Sequence, residues 1–144
     1  MYQVGIDIGS SAAKAVVIKN GEIIKTLLLD TGFSSRKVAD EIYKTLEKEG
    51  IAKENARYVA TGYGRISVPY ADRVVTEITC HGKGADFLFG EDGTIIDIGG
   101  QDTKGILLKN GRIMKFIMND KCSAGTGKFI EVMTNRLGLT QDEL

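Results

Sequence analysis

"TIIDIGGQDTKGILLKNGRI", residues 94–113, reads as a strand, a Gly-rich turn with an acid on either side, and a second strand closed by Asn-Gly. Nearly the same string stands at residues 4–23, "VGIDIGSSAAKAVVIKNGEI". A gapless shift of ninety positions lays Ile6, Asp7, Ile8 and Gly9 on Ile96, Asp97, Ile98 and Gly99, and Lys14 on Lys104. The same shift lays Lys19-Asn20-Gly21 on Lys109-Asn110-Gly111, and Ile23 on Ile113. A match at one fixed offset predicts a duplicated architecture.

Working outward, residues 2–9, 12–19 and 22–29 read as three strands, the second and third joined at Asn20-Gly21, since a type I′ turn needs positive φ at both central positions. Val38, Ile42 and Leu46 recur at helical spacing over 35–49, with Ser34 or Ser35 as N-cap and Gly50 as the stop. Residues 57–64 and 73–78 read as further strands and 77–89 as a closing helix, so the first half is βββαβαβα. After Asp92-Gly93 the pattern restarts and ends with a helix over 123–137 bearing Phe129, Val132, Met133 and Leu137. The predicted fold class is α/β, with a first domain over 1–92 and the opening of a second copy over 93–144. The second half has only thirty-three residues after Gly111, and Thr140-Gln141-Asp142-Glu143 is a capping box placed to begin another helix. The chain is therefore expected to be an N-terminal fragment, inactive by itself, the alternative being a frayed natural tail.

The composition bounds the function. Across 144 residues, 42% are hydrophobic, enough for a core, and nineteen basic residues balance nineteen acidic ones. No broad electrostatic footprint for nucleic acid or an anionic membrane is visible. No apolar run has membrane-spanning length and no signal-peptide pattern leads the chain, which predicts a cytoplasmic protein. Two cysteines, Cys80 and Cys122, are too few for a disulfide framework and suit a reducing compartment.

A strand ending in Asp-x-Gly before small residues brings backbone N–H groups to a tight hairpin, which suits phosphate oxygens. Two such hairpins make a clamp. Asp7 and Asp97, at the strand ends, can hold Mg²⁺ directly or through its waters, because a hard cation takes oxygen ligands and keeps part of its hydration shell. One copy alone would read as an ordinary hairpin; the paired acids and the repeated Gly9-Ser10 and Gly99-Gly100 go beyond what strand packing needs. Lys14 and Lys104, a few residues past each turn, face either phosphate or solvent. Gln101 and Asp102 have Ser11 and Ala12 as their counterparts, an asymmetry that suits water positioning near a γ-phosphate, or simply a polar turn. "SAGTGKF" (123–129) imitates a P-loop, but the first Gly position falls on Cys122 and the last is Phe129.

Asp7-Ile8-Gly9-Ser10-Ser11 and Asp97-Ile98-Gly99-Gly100-Gln101-Asp102 resemble the two phosphate-binding hairpins of the actin, sugar-kinase and heat-shock-chaperone ATPase superfamily. The resemblance implies ribonuclease-H-like domains closing on Mg-ATP and releasing ADP. More narrowly, "ATGYGR", "EITCHGKGA", "IDIGGQD" and "MNDKCSAGTGKF" resemble the activator (component A) of 2-hydroxyacyl-CoA dehydratases, related to the ATPase subunits of benzoyl-CoA reductase, along residues 2–144. That resemblance implies a homodimer sharing one [4Fe-4S] cluster, with two cysteines from each subunit. Its partners would be a dehydratase or benzoyl-CoA-reductase-like component and an electron donor such as ferredoxin or flavodoxin. Cys122 matches the first cluster ligand; the second ligand and the adenosine segment fall beyond residue 144, and Cys80 lies in a motif that is not a ligand.

Taken without the resemblance, Cys122 reads as a structural thiol or as a thiolate favoured before a helix rich in small residues. His81, the only histidine, has no paired nucleophile in sequence and receives no role, while Glu77 either complements its helix dipole or faces a cleft. The leading expectation is an ATP-dependent electron-transfer activator. The alternatives are a small-molecule (sugar) kinase, with Asp102 as base, and a nucleotide-gated binding module.

Overall fold

The structure, a computed structural model, describes all 144 residues and divides into two compact units, Met1–Cys80 and His81–Leu144. In the first unit, β1 (Tyr2–Ile8), β2 (Ala12–Lys19) and β3 (Glu22–Asp30) form an antiparallel meander. Helix α1 (Ser35–Lys48) then returns the chain, so that β4 (Ala56–Thr61) pairs parallel to β1 and β5 (Arg73–Val74) parallel to β4. The strand order is β3-β2-β1-β4-β5, which fits the ribonuclease-H-like α/β expectation.

Alternation along the strands places Val4, Ile6 and Ile8 of β1 and Ala13, Ala15 and Val17 of β2 on the buried face. Helix α1 covers that face with Val38, Ala39, Ile42 and Leu46, all buried. Burial of each large aliphatic side chain contributes about 1.5–3 kcal/mol relative to exposure. Ser34 caps the helix, its hydroxyl accepting from the Lys37 N–H at 3.3 Å. Gly50, at φ +79°, ends it by letting the Ile51 N–H return to the Leu46 carbonyl at 2.9 Å. Tyr43, Tyr58 and Tyr70 pack together against this core, and the buried Tyr58 hydroxyl donates to the Ile51 carbonyl at 2.8 Å. Desolvation, followed by the charge of neighbouring groups, pushes the Tyr58 pKa up to about 12.

The division between the units falls within α2 (Glu77–Phe89). The second unit repeats the meander as β6 (Gly93–Ile98), β7 (Thr103–Lys109) and β8 (Arg112–Asn119), and ends with α3 (Gly127–Leu137). Its small core joins Ile106 and Leu108 of β7 to Ala85 of α2. At Gly82 any Cβ would lie 2.6 Å from Ile113 Cδ1, so the helix approaches the sheet where it has no side chain.

The repeat extends into detail. Asn20-Gly21 and Asn110-Gly111 both adopt positive φ, as type I′ hairpins require. Asp7 pairs with Lys14 and Asp97 with Lys104 in register, and both meanders carry a bulge at the equivalent place, Val17/Ile18 and Leu107/Leu108.

Three element boundaries differ from those expected. Strand β4 stops at Thr61 rather than at 64, because Gly62 turns away at φ +86° and leads into a 3₁₀ turn, Arg65–Ser67, which occupies the place of the expected helix between β4 and β5. Strand β5 is only two residues long, because the Thr76 carbonyl already accepts the Cys80 N–H at 3.1 Å as the first bond of α2. Helix α3 begins at Gly127, so the loop Ser123–Thr126 stands between Cys122 and the helix. Cys122 therefore does not sit at the helix N-terminus: the Thr126 hydroxyl turns back to the Ser123 carbonyl at 2.6 Å and holds this stretch as a turn. At the end of the chain, Glu143 Oε2 accepts from the Thr140 N–H at 2.8 Å and the Thr140 hydroxyl at 2.9 Å, the carboxylate half of a capping box.

Candidate functional site

In the first unit the β1–β2 turn is closed by the Gly9 N–H donating to the Ala12 carbonyl at 3.1 Å. The end of β3 steadies it: the Thr31 hydroxyl donates to the Gly9 carbonyl at 2.8 Å and the Thr31 N–H to the Ser11 carbonyl at 3.0 Å. These bonds do not use the N–H groups of Ser10 and Ser11. A Cβ at residue 9 would lie 2.8 Å from the Ala12 carbonyl oxygen, so the turn admits only glycine without a shift. One strand position before Ile8, Asp7 Oδ2 accepts from Lys14 Nζ at 3.3 Å, and Lys14 is 47% exposed. Asp7 Oδ1 is buried without a partner.

The second unit builds the same turn, with the Gly99 N–H on the Asp102 carbonyl at 2.8 Å. A Cβ at Gly99 would lie 2.6 Å from Asp102 Oδ1. The charges, however, are arranged differently. Lys104 is 2% exposed; its Nζ lies 2.7 Å from Asp102 Oδ1 and 3.5 Å from Asp97 Oδ2. His81 Nδ1 approaches the same Asp97 oxygen at 2.6 Å. Asp97 is thus held between an imidazole from α2 and a lysine from β7, while Gln101 is exposed at the turn.

The same turn anchors the loop that carries Cys122. The N–H groups of Gly127 and Lys128, at the start of α3, donate to the carbonyls of Gly99 and Gly100, each at 2.9 Å. The Thr103 hydroxyl donates to the Gly125 carbonyl at 2.6 Å, and the Asn119 amide to the Cys122 carbonyl at 2.9 Å. Cys122 itself is exposed, and Cys80 is intermediate.

Residues 4–144 match the model of one protein family. The chain belongs to the BadF/BadG/BcrA/BcrD ATPase family. It is 48% identical over 147 aligned positions to the activator of lactoyl-CoA dehydratase of Anaerotignum propionicum, a match covering 100% of this chain and 57% of that relative. Among solved structures, it superposes on component A of the Acidaminococcus fermentans (R)-2-hydroxyglutaryl-CoA dehydratase with a TM-score of 0.89 at 43% identity, over 98% of this chain and 56% of the other. A similar likeness, TM-score 0.88 at 42% identity over 99% and 55%, holds to the activator of the 2-hydroxyisocaproyl-CoA dehydratase from Clostridium difficile with bound ADPNP. The chain thus spans little more than half the length of the relatives it matches.

Within this family member the structure brings Asp7 with Lys14, and Asp97 with Lys104 and Asp102. His81, given no role from sequence, is in contact with Asp97. The signal that could have placed it is its position one helical turn after Glu77, on a helix that ends just before the second repeat.

Proposed function

We propose that the full-length protein is an ATPase that activates a 2-hydroxyacyl-CoA dehydratase by passing it a low-potential electron from a [4Fe-4S] cluster shared across a homodimer, with ferredoxin or flavodoxin as donor. The observation that carries this reading is the anchoring of the Cys122 loop and the first turn of α3 on the carbonyls of Gly99 and Gly100. A phosphate that draws the 99–101 turn toward it pulls on those bonds, and with them on the loop bearing the exposed thiol. The names of the relatives, which are activators of dehydratases, and the ADPNP in one of them favour the same reading. We place the domain division at 92/93, at the restart of the meander at β6, whereas compactness divides the chain after Cys80.

In this proposal Gly9, Ser10 and Ser11 of one hairpin and Gly99, Gly100 and Gln101 of the other receive phosphate oxygens of ATP, with Lys14 and Lys104 supplying positive charge. Asp7 and Asp97 hold Mg²⁺. The unpartnered Asp7 oxygen fits a cation ligand, since a buried carboxylate oxygen with no donor is costly unless something binds it. Gln101 orients the attacking water, and Asp102 supports it by fixing Lys104. Because Asp102 is so engaged, the kinase alternative, which needs it as base, is disfavoured. Cys122 offers one thiolate, and its exposure fits a ligand presented toward a second copy. Four thiolates must converge on such a cluster; Cys122 of each subunit supplies two of them in this proposal, and the family resemblance, not the geometry, sets Cys80 aside as the source of the others. The cluster, when bound, supplies the one-electron reductant. The free thiols and the absence of any helix long and apolar enough to cross a membrane are consistent with work in the cytoplasm.

The test uses full-length protein prepared anaerobically with iron and sulfide. One cluster per dimer, lost in Cys122→Ser and kept in Cys80→Ser, is expected, together with ATP-dependent reduction of the dehydratase that collapses in Asp7→Asn and Asp97→Asn. Sugar-stimulated ATP turnover without iron would establish the kinase reading instead.

A further inference from the structure

Two buried polar side-chain atoms in the chain have no hydrogen-bond partner, Asp7 Oδ1 and Thr61 Oγ1. They are not scattered. Asp7 and Thr61 are register partners on the adjoining parallel strands β1 and β4, whose backbones in such a pair run about 4.8 Å apart. Both lie at the carboxyl ends of their strands, where open α/β sheets take their ligands. Lys14, the partner of Asp7 on β2, binds only Oδ2.

The backbone closes tightly over these two atoms without offering either a hydrogen-bond partner. Thr61 is 7% exposed, so bulk water does not satisfy its hydroxyl. Immediately after it, Gly62 turns at φ +86°, and any Cβ there would lie 2.2 Å from Asp7 Oδ1 and 2.5 Å from the Ile8 carbonyl oxygen. A side chain at residue 62 would therefore fill the space against the carboxylate. The Gly64 N–H then takes the Ile8 carbonyl at 2.8 Å and fixes the turn in place.

We propose that Thr61 is a cation-positioning residue: its hydroxyl and Asp7 Oδ1 together receive the water ligands of the divalent ion that accompanies the nucleotide's phosphates. This rests on the phosphate-clamp reading of Asp7 given above and adds to it a third strand, β4, and the "ATG" of residues 60–62. The chemistry agrees with the donor set. A carboxylate and a hydroxyl are both hard oxygen groups, and Mg²⁺ keeps several waters that need acceptors fixed around it.

An unpaired buried hydroxyl predicts an unusual combination of effects. Replacing it by an isosteric methyl removes an unsatisfied group, so the free protein should not lose stability. A threonine kept only for packing or for a structural hydrogen bond shows the opposite. The experiment measures, in the full-length protein, the thermal midpoint without ligand and the Mg²⁺ concentration that half-saturates ADP binding, for wild type, Thr61→Val, Thr61→Ser and Asp7→Asn; Mn²⁺ binding followed by electron paramagnetic resonance gives a direct second reading. Thr61→Val should keep or raise the midpoint while raising the half-saturating Mg²⁺ roughly ten-fold, as for a lost hydrogen bond to a charged centre, and Thr61→Ser should return it to within about two-fold. Wild-type Mg²⁺ dependence in Thr61→Val alongside a loss in Asp7→Asn overturns the inference and leaves the clamp standing. Unchanged Mg²⁺ dependence in Asp7→Asn overturns the clamp itself, and the inference with it.

Discussion

Lys14 and Lys104 are equivalent under the ninety-residue repeat, yet replacing each by methionine should have very different consequences. Lys104 is 2% exposed and its ammonium bridges Asp102 at 2.7 Å and Asp97 at 3.5 Å. Methionine keeps the stem and removes the charge, leaving two carboxylates without that counterion. Breaking a fully buried pair from one side costs about 3–5 kcal/mol. Asp97 and Asp102 are 23% and 26% exposed and regain some water, which brings the expected cost to about 2–3 kcal/mol. Lys14, 47% exposed and 3.3 Å from Asp7, belongs with surface pairs worth about 0–1 kcal/mol.

The assay must report each unit separately. All five tyrosines lie within residues 1–80 and the chain has no Trp, so tyrosine fluorescence in urea follows the first unit, and amide hydrogen exchange of peptides spanning β6 and β7 follows the second. Lys104→Met should reduce protection in β7 by roughly 30- to 160-fold, the equivalent of the estimated cost, and Lys14→Met should move the urea midpoint only slightly. If Lys104→Met reduces protection less than about ten-fold, or if the two substitutions cost the same, the claim that burial separates the two lysines is wrong.

Three further outcomes follow, two from titration and one from exposure. The raised Tyr58 pKa, about 12, means that the unfolded chain releases this proton first; stability should be complete below pH about 10 and fall as the pH rises toward 12, with Tyr58→Phe moving the alkaline loss upward in a pH series of urea midpoints. The Asp72 carboxyl is held below its ordinary range by the hydrogen bond from Lys53 and then by the Tyr58 N–H. Its contribution should be present above pH about 4 and be lost as the pH falls through the lowered value, an acid-side loss that Asp72→Asn should remove. In timed alkylation read by mass spectrometry, Cys122, exposed, should react faster than Cys80, which is partly covered; the reverse order would contradict the placement of the loop Ser123–Thr126.

The duplicated meander, both Asn-Gly hairpins and the Gly-rich turns were legible in the sequence because each depends on residues a few positions apart. Positive φ at Asn20-Gly21 and Asn110-Gly111, and the exclusion of a Cβ at Gly9 by the Ala12 carbonyl, are local requirements that leave a local signature. The helix α1 was readable for the same reason, through the spacing of Val38, Ile42 and Leu46. Where a local signal was ambiguous, tertiary bonds set the boundary: β4 ends at Thr61 because Gly62 turns against Asp7 and the Ile8 carbonyl, atoms more than fifty residues away in sequence. The repeat also concealed a difference that only packing produced. Lys14 and Lys104 sit in identical registers, but one is open to solvent and the other is enclosed among carboxylates. His81 on Asp97 and Thr61 beside Asp7 are likewise products of the fold, because contact between residues on separate elements depends on how strands and helices pack and leaves no periodic trace along the chain.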